Sequence, residues 1–121
     1  MRALVLAILL CSLARGDLGQ KAQSRLYVSE GVGNRLVTHR VRPTCPDEAC
    51  SQCQDAEVVL KLGIRKIGTV KQITVVRAAD SRLAGAALDA VRQWRYGQYM
   101  LNGRPVEYET STTVKSWMCG T

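Results

Sequence analysis

The sequence predicts an α+β fold, a small antiparallel three-stranded sheet packed with two helices, with room for a short extra N-terminal strand. Three observations carry this expectation. Val58, Leu60, Leu62 and Ile64 alternate with Glu57, Val59, Lys61 and Gly63, which is the period of a half-buried strand. Leu83, Ala87, Leu88, Val91 and Trp94 recur at helical spacing on one side. Val106, Tyr108, Thr110, Thr112 and Val114 alternate with Glu107, Glu109, Ser111 and Thr113, giving a last strand with Tyr108 pointing inward. The resulting order of helix, strand, strand, helix and strand suits one sheet with helices on one side.

Taken in order, residues 1–16 read as a signal peptide or a short membrane anchor. Arg2 gives a positive start and Ala3–Ala14 is an almost unbroken apolar run, followed by Ala14-Arg15-Gly16 as a cleavage site before Asp17. The run of 12 residues falls short of the roughly 20 that span a membrane as a helix. Residues 17–42 read as a flexible lead with short extended segments, Arg25–Ser29 and Leu36–Val41, and residues 43–118 as the folded domain. Pro46 suits the first turn of a helix from about Asp47 to Gln54, with Asp47 and Glu48 at its positive end. After the strand at Val58, Arg65-Lys66-Ile67-Gly68 makes a turn into Thr69–Arg77, rich in β-branched residues, and the pair forms a hairpin. Asp80 or Ser81 caps the helix that runs to about Trp94. Asn102-Gly103 marks the turn before the last strand.

The 121 residues leave room for a single domain, and 46% hydrophobic with 22% charged residues is an ordinary globular balance. The net charge of +7 falls to +5 when Arg2 and Arg15 leave with the N-terminal segment. The basic residues are scattered, with no stripe interleaved with stacking aromatics, so a nucleic-acid partner is not expected. His39 is the sole histidine, and no nucleophile stands at a spacing that ties it into a triad. It reads as an exposed strand residue. Asp47-Glu48 and Glu107 with Glu109 read as a helix start and a solvent-facing strand. No catalytic residue, cofactor or metal site is expected.

Cys45, Cys50, Cys53 and Cys119 remain after loss of the N-terminal segment, an even number in a compartment that permits disulfides. They are disulfide candidates with the pairing open. The spacing of Cys50 and Cys53 also fits redox or metal chemistry, Gln54 stands where haem attachment would need His, and the plain alternative is four small half-buried residues. Trp94 reads as core, between helix and sheet.

From Cys45-Pro46 to about Lys115 the residues resemble the C-terminal domain of TonB, the energy-transducing protein of Gram-negative bacteria. The resemblance rests on Ala87-Leu88-Asp89-Ala90-Val91-Arg92-Gln93-Trp94-Arg95-Tyr96, on Asn102-Gly103-Arg104-Pro105-Val106, on Ile67-Gly68-Thr69-Val70 and on Pro46-Asp47-Glu48-Ala49. Val28-Ser29-Glu30-Gly31-Val32, Leu36-Val37 and Val41-Arg42-Pro43 are similar to the lead-in of short TonB-like proteins. This sequence departs from the pattern where Cys45 replaces the usual tyrosine before the first proline, where Ala56 replaces a glycine, and where Thr110, Thr112 and Ser116 replace apolar residues. The proline-rich spacer of full-length TonB has no counterpart here.

The resemblance implies an exported periplasmic module, anchored in the inner membrane if residues 1–16 are retained, that docks a TonB-dependent outer-membrane transporter. It implies β-strand addition along Val106, Glu107, Tyr108, Glu109, Thr110, Ser111, Thr112, Thr113 and Val114, with Cys45 and Pro46 as a flanking contact. Inner-membrane motor subunits are implied as further partners. The alternative is an exported self-associating protein, a homodimer through the same edge strand, with no transport role. The absence of a spacer makes direct force transmission between two membranes less expected than protein binding.

Overall fold

The computed structural model describes residues 26–46 and 50–119. The elements run α1 (Glu30–Leu36), β1 (Val37–His39), β2 (Val58–Ile64), β3 (Val70–Arg77), α2 (Ser81–Val91), β4 (Arg95–Tyr96), β5 (Tyr99–Leu101), β6 (Arg104–Val106) and β7 (Tyr108–Val114). The expected segments 1–16 and 17–25 lie outside the described residues.

The main sheet is antiparallel with strand order β3-β2-β7. β2 lies at its centre because its alternation is the cleanest in the chain: Val58, Leu60, Leu62 and Ile64 are at most 1% exposed. In register, Leu62 faces Ile73 on one side and Thr110 on the other, and Ile64 faces Tyr108. The inward rows of β2 and β7 share one core with Leu83, Ala87 and Val91 of α2, so the α+β architecture predicted from periodicity is the one observed. The other face of the sheet, with Lys61, Glu109, Ser111 and Thr113, stays partly open to solvent.

α2 starts where Asp80 accepts hydrogen bonds from the backbone N–H groups of Arg82 and Leu83 at 2.8 and 3.0 Å, satisfying donors that lack an intrahelical partner. The helix ends at Val91, short of the expected Trp94, yet Trp94 remains 5% exposed and its indole N–H donates to the Val41 carbonyl at 2.8 Å. Arg95 and Tyr96, just past the expected end of the helix, form β4 and pair with β1.

The second helix of the architecture is not where the sequence placed it. Of the predicted helix Asp47–Gln54, residues 47–49 lie outside the described residues, and Ser51–Asp55 form turns closed by bonds from Cys53 N–H to Cys50 and from Ala56 N–H to Cys53. Cys50 sits at φ 62°, a left-handed conformation that a helix does not continue through. The helix forms instead at Glu30–Leu36, capped by the Ser29 hydroxyl, which accepts from Val32 N–H at 3.3 Å. The lead within 26–42 is thus built into the domain: Val28 is 5% exposed in the core.

Two turns are set by glycine. Asn102 and Gly103 have φ of 53° and 78°, the signature of the tight hairpin turn that joins β5 to β6. Gly68, at φ 97°, approaches β4 so closely that a Cβ would overlap the Tyr96 carbonyl oxygen. Its own carbonyl accepts from Tyr96 N–H at 2.8 Å.

The cysteines are paired Cys45–Cys53 and Cys50–Cys119. Cys50 and Cys53 therefore bond to different partners, and a redox dithiol at that spacing is not what the structure holds. A parallel bridge between Thr44 and Met118, with Cys45 N–H donating to Met118 and Met118 N–H to Pro43, ties the C-terminal end to the same loop.

Candidate functional site

β7 carries most of the expected docking residues, and its two sides do different work. Tyr108, Thr110, Thr112 and Val114 are buried, at 2, 0, 2 and 4% exposure, while Glu109, Ser111 and Thr113 lie on the open face. The expected continuous strand Val106–Val114 is broken at Glu107. Val106 belongs to β6 and faces Tyr99, because the Asn102-Gly103 turn folds it back into a hairpin, and Glu107 sits between strands with its carboxylate 3.2 Å from the Lys71 ammonium.

The backbone direction along β7 decides what a partner strand would meet. Glu109 N–H donates to the Leu26 carbonyl and Val28 N–H donates to the Glu109 carbonyl, both at 2.8 Å. Glu109 therefore turns its backbone groups away from β2. Strand backbone alternates with period two, so Ser111 and Thr113 turn outward too, while Tyr108, Thr110, Thr112 and Val114 bond into the ladder with β2. Ser111 and Thr113 have no backbone partner on that side among the described residues. The parallel bridge of Tyr27 to Glu109 and the hydrogen bond shared by the Tyr27 hydroxyl and Ser111 Oγ at 3.1 Å complete the contact. Leu26–Val28 lies within the extended segment read from Arg25–Ser29, but its place beside β7 could not be read from periodicity, which is blind to pairing over 80 residues.

Cys45 and Pro46 stand beyond the C-terminal end of β7, where Thr44 meets Met118. Cys45 is buried and Pro46 exposed. Behind β7, Tyr108 is flanked by Tyr96 and Tyr99, with ring centroids 6.4 and 5.7 Å away. The Tyr108 hydroxyl donates to the Gly97 carbonyl at 2.9 Å, and burial pushes its pKa up to about 12. Tyr96 is raised further, by burial first and by Tyr108 beside it; its hydroxyl has no hydrogen-bond partner among the described residues. His39 is exposed on β1, and Trp94 is packed in the core with the Arg40 guanidinium 5.2 Å above its ring.

Among the described residues no group of three or more His, Cys, Asp or Glu side chains is placed to hold a metal ion. No helix among them is long and apolar enough to cross a membrane.

Fold and edge together define a small α+β module whose last strand offers outward backbone groups beside a short intramolecular strap. The family model described as Gram-negative bacterial TonB protein C-terminal matches residues 41–115, and the chain belongs to that family, a module associated with energy-coupled transport at the Gram-negative envelope. Among solved structures, the solution structure of the Pseudomonas aeruginosa TonB C-terminal domain matches with a TM-score of 0.51 at 19% identity, over 64% of this chain and 79% of that one. That likeness concerns the fold. No curated protein matches the chain.

Proposed function

We propose that the chain is a periplasmic, non-catalytic binding module that docks an extended segment of an outer-membrane transporter along β7 by strand addition. The observation that carries this reading is the outward backbone of Ser111 and Thr113, on a strand whose inward side chains are fixed in the core. A partner strand gains main-chain hydrogen bonds there without disturbing the fold. Cys45 and Pro46, at the end toward which β7 runs, form the flanking contact, and Val106 and Glu107 border the other end. Family membership supports transport as the process served, with motor subunits in the inner membrane as the energy source.

The test is capture of a transporter from solubilised envelope by the intact domain, against Ser111→Pro and Thr113→Pro. Each proline removes an outward donor and leaves the ladder to β2 intact, as edge positions tolerate. Proline at Thr110 would instead break the sheet, since that N–H faces β2. Capture lost in both variants while near-wild-type stability is kept is the expected outcome; capture unchanged in both removes β7 as the docking edge.

A second reading, self-association, is favoured by the opposite edge. Among the described residues no strand pairs with the outer side of β3, which exposes Val75 and Val76 at 38 and 58%, an invitation to pairing. It predicts a dimer through β3 and not through β7.

A further inference from the structure

We infer that Leu26–Val28 is an intramolecular stand-in for the partner strand, so that docking along the N-terminal half of β7 requires this strap to leave. The inference rests on the docking proposed for β7 and adds a gate to it. Both outward backbone groups of Glu109 are already used, by Leu26 and Val28, and a second strand cannot take the same hydrogen bonds. Tyr27 lies over the open face and shares a hydrogen bond with Ser111, while Val28 fills a place in the core at 5% exposure.

The strap is held at one end by a firm anchor. The Ser29 carbonyl accepts from Gly33 N–H at 2.8 Å and from the Thr110 hydroxyl at 3.3 Å, and Ser29 caps α1. Release is therefore a swing of Leu26–Val28 about Ser29, with α1 left in place. Tyr27 contributes little burial, at 55% exposure, so what holds the strap is two backbone hydrogen bonds, the hydrogen bond between Tyr27 and Ser111, and the side chains of Val28 and the half-buried Leu26.

The strap also describes what displaces it. The competing segment is extended, places a branched apolar residue where Val28 sits, and carries an uncharged hydrogen-bonding side chain over Ser111. Longer segments gain the outward groups of Ser111 and Thr113 that the strap leaves unused, and that surplus drives the exchange.

The experiment uses the full chain and, as probe, a capped synthetic peptide with the sequence of residues 25–30. Tyr27→Gly leaves the core untouched and favours the open strap by backbone entropy; Val28→Pro removes the donor to Glu109. Relative to the wild type, the peptide is expected to bind about five-fold tighter to Tyr27→Gly and at least about ten-fold tighter to Val28→Pro. In the wild type, excess peptide is expected to speed hydrogen exchange at the Val28 amide while the Glu109 amide stays protected. Equal affinity for wild type and Tyr27→Gly, whose fold is not at stake, overturns the inference. So does a Val28 amide whose exchange the peptide does not change. The gate and the docking proposal fail separately. Transporter capture by the wild type that Tyr27→Gly does not improve removes the strap and keeps the docking; peptide exchange with no transporter captured by either protein keeps the strap and removes the docking.

Discussion

Thr110 has no exposed surface but carries a hydroxyl, at a position where the family pattern has an apolar side chain. The hydroxyl donates to the Ser29 carbonyl at 3.3 Å, and α1 presses Gly33 against the same side chain, so closely that a Cβ on Gly33 would overlap the threonine hydroxyl. The departure from the pattern thus belongs with the lead-in that covers it. Gly33→Ala is expected to cost about 1–3 kcal/mol through this overlap, and Thr110→Ala to relieve part of it, giving a coupling of at least about 0.5 kcal/mol in a double-mutant cycle read by urea unfolding. The tyrosines supply a second test. Burial pushes the Tyr108 pKa up to about 12 and raises Tyr96 more strongly, so both favour the neutral form in the fold. Their contribution to stability is fully present below the unfolded value of 10 and is lost as pH rises toward the folded values. Absorbance titration is expected to show two tyrosines ionising only above pH 10, together with the onset of unfolding. Trp94 and Tyr108 were legible as core from helical spacing and from strand alternation. Tyr96 was not, since its burial depends on β1, an element only three residues long.

The elements divide along the same line. β2, β3, α2 and β7 repeat their apolar pattern over 7 to 11 residues, and each could be read from sequence within a few positions. α1 could not: its Gly31 and Gly33 argue against a helix, and it forms because Ser29 caps it and Gly33 lets it approach β7. The helix expected after Pro46 gives way, over the residues described, to turns stapled by two disulfides, which periodicity does not encode. The staples differ in reach, with sequence separations of 8 for Cys45–Cys53 and 69 for Cys50–Cys119. Loop-closure entropy gives about 2.5 and about 4.4 kcal/mol for them. Replacing Cys50 and Cys119 together by alanine is therefore expected to lower unfolding free energy more than replacing Cys45 and Cys53, as guanidinium titration would read.

At the scale of the molecule, the sheet has two unequal edges. One, β7, is partly covered by the strap and lies beside polar side chains; the other, β3, has no strand paired to it among the described residues and exposes Val75 and Val76. The self-association reading predicts that sedimentation detects a dimer growing with concentration and that Val76→Lys abolishes it, while transporter capture through β7 is left unchanged. Loss of capture in the same variant would mean that the wrong edge has been assigned to the partner. Sequence could identify the family and the sheet, but not which edge stays open, because occupancy of an edge is decided by contacts between residues as far apart as Tyr27 and Ser111.

The covalent link from Cys50 to Cys119 has a mechanical side. A partner paired lengthwise with β7 and pulled along the strand axis loads the hydrogen bonds to β2 in parallel, as shear, and they yield together. Pulled at an angle, the same strand would peel, its bonds breaking one after another from a free end. The disulfide denies it that free end beyond Val114, so force entering through a docked strand is passed to the loop at Cys50 and spread through the body of the domain.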